Sequence, residues 1–224
     1  AAVTKDAPMP ENTTVVATEE APTAVFGEVE YDKAGIYEYT ITEVNDGADG
    51  VTYDTTPHKV VVTVTKDDDN KLTAVAKYDD ADSLTVTNTY EATQAEIVVT
   101  KAFEDWGKAD SFTFNLEAVT EDAPMPASVT GIATKENPTV SFGEIEYEKT
   151  GTYEYTITEV NDGKDGVTYD ITPHNVVVTV TKDENNKMTA EVSYDGEDSL
   201  IVTNSYASTK ATIEATKEFN DWGK

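Results

Sequence analysis

The chain contains no cysteine. That excludes a disulfide framework, a thiol nucleophile and a thiolate metal site, so covalent reinforcement would need other chemistry. Basic residues are scarce: 16 Lys and Arg stand against 44 Asp and Glu, for a net charge of -28. Such a surface repels nucleic acid and anionic lipid, and neither is expected as a partner. No apolar run approaches the length of a membrane span, so no membrane insertion is expected. Neither a signal peptide nor a wall-sorting tail is recognisable, which suits a processed chain or an excerpt. Glutamine occurs once, at Gln94, which disfavours a Thr–Gln ester crosslink. There is no convincing amphipathic helix; acidic stretches such as "VATEEAP" are too short.

What is present reads as strand. "HKVVVTVT", "KLTAVAKY", "SLTVTNTY" and "TAVFGEVEY" are rich in β-branched and aromatic residues. Turn formers separate them: "NDGADG", "KDDDNK", "DAPMPEN". With 38% hydrophobic residues, 12 Tyr and 6 Phe, there is enough apolar surface for small cores. The expectation is all-β, with antiparallel β-sandwiches.

The sequence repeats. "YEYTITEVNDGADGVTYDTTPH" begins at Tyr37 and "YEYTITEVNDGKDGVTYDITPH" at Tyr153, an offset of 153 − 37 = 116 residues. The same offset relates Pro8 to Pro124 and Trp106 to Trp222. Units this long are tandem domains rather than solenoid repeats. The expected division is 1–91, a repeat without counterparts of "AEIVVTKAF" and "SFTFNL"; 92–208, a complete repeat; and 209–224, the leading strand of a third.

A period of two exposes three polar intruders. Ile97, Val99, Lys101 and Phe103 share one strand face; so do Tyr153, Tyr155, Ile157 and Glu159, and so do Leu200, Val202, Asn204 and Tyr206. The first repeat places Glu43 and Asn88 alike, and the tail places Lys217 in line with Ile213, Ala215 and Phe219. Three readings stay open. Each head could reach water at a strand end. Lys and Glu could form a buried ion pair with Asn as a hydrogen-bonding neighbour. Or the three could react. Burial lowers a lysine pKa and raises a glutamate pKa. A neutral amine is a nucleophile, and a protonated Glu can polarise the Asn carbonyl oxygen and shuttle the proton that expels ammonia. The product would be a Lys101–Asn204 amide, formed once, with the protein as its own substrate.

In order, "IVVTKAF", "FGEIEYEKTGTYEYTITEV", "GVTYDITPHNVVVTVT" and "LIVTNSY" resemble the pilin isopeptide-linkage domain of Gram-positive surface proteins, a family that includes the major pilin of streptococcal pili. The resemblance covers essentially the whole second repeat and all of the truncated first. It implies tandem immunoglobulin-like sandwiches of the Cna-B/pilin type, with first and last strands paired side by side and parallel. It implies a bond from Lys101 to Asn204 with Glu159 as catalyst. It carries the same roles to Glu43 and Asn88, while the lysine strand of the first repeat is missing. No pilin-polymerising lysine motif is recognisable, so a repeat array from a surface adhesin or stalk is expected rather than a whole pilin. The location implied is extracellular, at the cell surface or wall.

Other sites look weaker. "TKDDDNKL" and "TKDENNKM" lack calcium-loop spacing and read as hairpin turns. His58 and His174 stand one per repeat without evident metal partners, so no metal and no cofactor is expected. No Ser/His/Asp set stands out, which disfavours an enzyme. Trp106 and Trp222 read as cover for the crosslinked end of each sandwich, with sugar stacking as the alternative. The main rival function is a ligand-binding adhesin module, for which the sequence names no host ligand. The complementary defects of the first repeat and the tail imply head-to-tail partners: Lys217 of one chain would meet Glu43 and Asn88 of the next copy, by strand donation. A window cut from a continuous array fits the same frame, because a counterpart of "SFTFNL" is missing from both ends.

Overall fold

A computed structural model describes residues 1–220 of the chain. It is built of strands; no helix occurs among the described residues. The chain divides into two compact units, residues 1–91 with 183–187, and residues 92–182 with 188–224.

The second unit is a sandwich. One sheet has five strands: β7 (Ser111–Ala118), β8 (Thr130–Thr134), β10 (Gly151–Glu159), β12 (His174–Lys182) and β13 (Met188–Tyr194), in the order β13-β12-β10-β7-β8. The other has β6 (Thr93–Ala102) between β9 (Thr139–Tyr147) and β14 (Ile201–Thr203). β9 runs antiparallel to β6 and β14 parallel to it, with Ile201, Val202 and Thr203 opposite Thr100, Lys101 and Ala102. The first strand of the unit, β6, and the last strand of its two large sheets, β14, are therefore neighbours. A short pair, β11 (Val167–Thr168) with β15 (Ser205–Tyr206), holds the chain just beyond β14. Here glycine is required: Gly166 has φ +76°, and an added Cβ would lie 2.7 Å from both the Ala207 carbonyl oxygen and the Tyr206 ring.

Alternation along each strand drives the packing. Ile97, Val99, Phe112, Phe114, Leu116, Tyr155, Ile157, Val176, Val178 and Val202 are buried between the sheets. A tyrosine clasp closes one end. The Tyr147 and Tyr155 phenol oxygens lie 3.0 Å apart, and Tyr155 donates to the Pro124 carbonyl oxygen at 2.8 Å. The first unit repeats this with Tyr31, Tyr39 and Pro8.

The first unit holds a three-stranded sheet in the order β1-β3-β4, made of β1 (Gly35–Ile41), β3 (His58–Lys66) and β4 (Leu72–Tyr78). It also has a short pair, β2 (Val51–Thr52) with β5 (Thr89–Tyr90). Tyr39, Val60, Val62 and Val64 form its small core. Of two expected strands, "TAVFGEVEY" (23–31) forms none, and "SLTVTNTY" pairs only at its last two residues. The reason is missing partners. In the second unit the corresponding β9 and β14 both bond to β6, and the first unit contains no counterpart of β6. An extended segment becomes a strand only when its backbone groups find a neighbour.

Candidate functional site

Three strands of the second unit bring Lys101, Glu159 and Asn204 together. Lys101 lies on β6, one residue from its end, and its parallel partner is Val202. Glu159 is the last residue of β10, held in the ladder opposite Phe114. Asn204 sits between β14 and β15, and its backbone N–H donates to the Ala102 carbonyl oxygen at 3.1 Å. The three residues are 2%, 6% and 4% exposed. Burial this deep removes the first reading, in which the polar heads reach water.

Glu159 is the hub. Lys101 Nζ donates to Glu159 Oε2 at 2.9 Å, and Asn204 Nδ2 donates to Glu159 Oε1 at 2.7 Å. The other end of the amide points elsewhere: Asn204 Oδ1 accepts the backbone N–H of Asp170 at 2.9 Å. The carboxyl group therefore faces the amide nitrogen, not the carbonyl oxygen that the sequence reasoning assigned to it.

The surroundings are apolar. Lys101 Nζ lies 4.8 Å from the Phe112 ring centroid and 5.8 Å from that of Phe114. Trp106 packs edge-on against Phe103 and Phe112 at 5.8 and 5.5 Å, so it covers this end of the sandwich. Trp222 lies outside the described residues. Desolvation pushes the Lys101 pKa down and the Glu159 pKa up, each against the opposing pull of the other. Both shifts favour the neutral amine and the neutral acid.

In the first unit Asn88 Nδ2 donates to Glu43 Oε1 at 2.7 Å, and Asn88 Oδ1 accepts the Asp54 backbone N–H at 3.0 Å. Only the lysine is missing. Glu43 Oε2, the oxygen corresponding to the lysine acceptor, is buried with no hydrogen-bond partner. The setting is more open than in the second unit, because Glu43 lies beyond the end of β1 and Asn88 is exposed. Lys217 lies in residues 207–219, which are exposed and form no strand; its Nζ is 5.9 Å from the Phe219 ring.

The sequence reasoning missed Asp170 and its neighbours. His174 begins β12, with Nδ1 at 2.8 Å from Asp195 Oδ2 and Nε2 at 3.7 Å from Asp170 Oδ2. His58 sits in the same way between Asp79 and Asp54. The signal available was the recurrence of Asp and His four residues apart, in "YDTTPH" and "YDITPH". The "TKDDDNKL" and "TKDENNKM" segments are hairpin turns: Asn70 and Asn186 adopt positive φ, and the Asp67 and Asp183 carboxylates accept main-chain N–H groups. Among the described residues no group of three or more His, Asp or Glu is arranged to hold a metal ion.

The family model of the FctA, Spy0128-like isopeptide containing domain matches residues 1–91 and 97–207. The crystal structure of the major pilin from Streptococcus pyogenes is similar at 18% identity, over 81% of this chain and 73% of that one, with a TM-score of 0.40. The S. pyogenes major pilin protein T3.2 is similar at 13% identity, over 90% and 89% of the two chains, with a TM-score of 0.39. The T-13 pilin of the same species is similar at 19% identity over 82% and 72%, with a TM-score of 0.35. No curated protein matches. With the family model spanning nearly all of both units, the chain belongs to the Spy0128-like isopeptide-containing domain family.

Proposed function

We propose that the chain is a load-bearing segment of an extracellular bacterial surface fibre, reinforced by a Lys101–Asn204 isopeptide bond that forms without an external enzyme. The observation that carries this reading is the buried hub, in which one carboxyl group bonds the amine on one oxygen and the amide nitrogen on the other. A proton passing from Lys101 Nζ to Glu159 leaves a neutral amine, which attacks Asn204 Cγ. Glu159 Oε1 then stands beside the nitrogen that must leave. The Nζ–Cγ bond forms, the Cγ–Nδ2 bond breaks and ammonia departs. Starting from the ion pair, one lysine proton leaves with the ammonia and a second stays on Glu159, which ends neutral. Fixed geometry supplies the effective concentration that an isolated amine and amide lack. The reaction happens once per chain, so the role is structural rather than enzymatic. Family membership supports a surface location.

Intact mass tests the bond. Folded chain should weigh one ammonia less than its sequence for each bond formed, and Glu159→Ala should weigh the full amount. An unmodified mass in folded wild-type protein refutes the reading.

The domain frame proposed is 1–91, 92–208 and 209–224, and it extends the reading to neighbours. The unpartnered Glu43 Oε2 is an acceptor waiting for an amine. A lysine strand such as Ile213–Phe219, from the next copy or repeat, would add to the open sheet edge and bring Lys217 to Glu43 and Asn88. Donor and acceptor patches differ, so such contacts build head-to-tail fibres. A denaturing gel should then show a ladder at multiples of 24.3 kDa that disappears in Lys217→Ala; a single monomer band refutes the covalent strand donation.

A further inference from the structure

The isopeptide reading gives Glu159 the proton work but leaves open what stabilises the negative charge on oxygen. When Lys101 attacks, Cγ of Asn204 becomes tetrahedral and Oδ1 becomes an oxyanion. Glu159 cannot serve it, since both of its oxygens face nitrogen atoms. We propose that the backbone N–H of Asp170 is the oxyanion donor of bond formation, and that the Asp170–His174–Asp195 cluster is the device that aims it. This proposal rests on the isopeptide reading.

Three observations carry it. The first is distance. The N–H donates to Asn204 Oδ1 at 2.9 Å before any bond forms, within the range for a preorganised oxyanion donor. A hydrogen bond to a neutral carbonyl becomes charge-assisted as the oxygen gains charge, so it strengthens in the transition state.

The second is repetition. Asp54 N–H donates to Asn88 Oδ1 at 3.0 Å in the first unit, where no lysine is present. Orientation of the asparagine therefore does not depend on the nucleophile. Donor, amide and carboxyl form one group whose geometry does not require the lysine.

The third is the scaffold behind the donor. Asp170 Oδ1 accepts the Thr172 N–H at 3.0 Å, closing a local turn that fixes the peptide plane. The Asp170 pKa is held below the usual carboxylate value chiefly by a hydrogen bond with the Thr172 side chain, and this backbone bond lowers it further. Asp170 Oδ2 lies 3.7 Å from His174 Nε2, while His174 Nδ1 meets Asp195 Oδ2. Asp195 Oδ1 in turn accepts the Asn175 N–H at 2.8 Å, at the start of β12. The turn carrying the donor thus faces the start of β12, an interior strand of the five-stranded sheet, across an Asp170–His174 approach of ion-pair length and not of hydrogen-bond length. On the other side of Asn204, β15 is fixed to β11. The covalent balance is unchanged by this assignment: the N–H keeps its proton and lends only a hydrogen bond.

The test removes that single hydrogen. Full-length chain is made by cell-free translation with the α-hydroxy analogue of aspartate at position 170, which turns the amide into an ester and keeps the side chain. The fraction that has lost ammonia is followed by intact mass over time. Removing one oxyanion donor slows reactions by roughly 10²–10³-fold, and that slowing is the expected result. If wild-type chain never loses ammonia, the isopeptide reading itself fails. If wild-type reacts and the ester chain reacts at the same rate, only the present inference fails. A second measurement covers an ester chain that does not fold. In the unreacted Lys101→Met chain, the Asp170 amide should be protected from hydrogen exchange as strand amides are. Exchange at the rate of a free loop amide overturns the assignment.

Discussion

A double-mutant cycle on Lys101 and Asn204 separates a covalent bond from an ion pair with a polar neighbour. Lys101→Met removes the nucleophile and keeps most of the stem volume. Asn204→Ala removes the electrophile, together with the partner of Glu159 Oε1 and of the Asp170 N–H. The two positions are 204 − 101 = 103 residues apart. Closing a loop of that length reduces the entropy of the unfolded chain by an amount equivalent to about 5 kcal/mol. Each single variant loses this once, and the Asn204 variant loses about 1–3 kcal/mol more through unpaired polar groups. The double variant also loses the crosslink only once. The two single losses should therefore sum to about 5 kcal/mol more than the double loss. Neighbouring groups without a covalent link couple by roughly 0.5–3 kcal/mol. For a unit of this size about 1 kcal/mol moves the melting temperature by roughly 4 °C, so Lys101→Met should melt roughly 20 °C lower and Asn204→Ala roughly 25–30 °C lower. Calorimetry follows the transition of the second unit, and intact mass reports the bond in the same samples. Coupling of about 3 kcal/mol or less, within the reach of non-covalent neighbours, or a drop of only a few degrees, refutes the crosslink as the source of stability.

Two further outcomes follow from the surroundings of the site. Gly166→Ala forces a side chain into positive φ and against the Ala207 carbonyl oxygen, which should cost about 1–3 kcal/mol; ammonia loss should slow, because β11 and β15 no longer hold the chain beside Asn204, and an unchanged rate with an unchanged melting temperature would show the contact to be unimportant. Asp195 has its pKa held below the usual carboxylate value, chiefly by its hydrogen bond with His174. Its contribution is therefore present above the unfolded Asp pKa and lost as pH falls through the folded one. Asp195→Asn should flatten the acid limb of the stability curve, read by chemical denaturation from neutral to acidic pH, and an acid limb as steep as wild type would contradict the assignment.

How much the sequence discloses depends on the kind of contact. A period of two is enough to put Lys101, Glu159 and Asn204 on the apolar faces, because alternation is a property of each strand alone. The pairing of β6 with β14 came from family resemblance, since nothing within either strand names its neighbour. "TAVFGEVEY" shows the limit: its composition is that of a strand, yet residues 23–31 form none, because strand formation is a property of two segments. The Asp170 donor is harder still to see. A main-chain N–H has no residue type, and only the turn at Asp170 and Thr172 directs it to Asn204.

The parallel pairing of β14 with β6 also bears on how the second unit is made. Translation at about 5–20 residues per second separates the emergence of Lys101 and Asn204 by roughly 5–20 seconds. During that interval β9 can cover one edge of β6, while the other edge stays open until the last strand arrives. An open edge invites the wrong strand, and in a tandem array a near-identical one soon follows. A swap sealed by an amide could not be reversed. Under the proposed chemistry the burial of the three groups would hold the reaction back until a sandwich has closed around them, so no amide would form on the open edge itself.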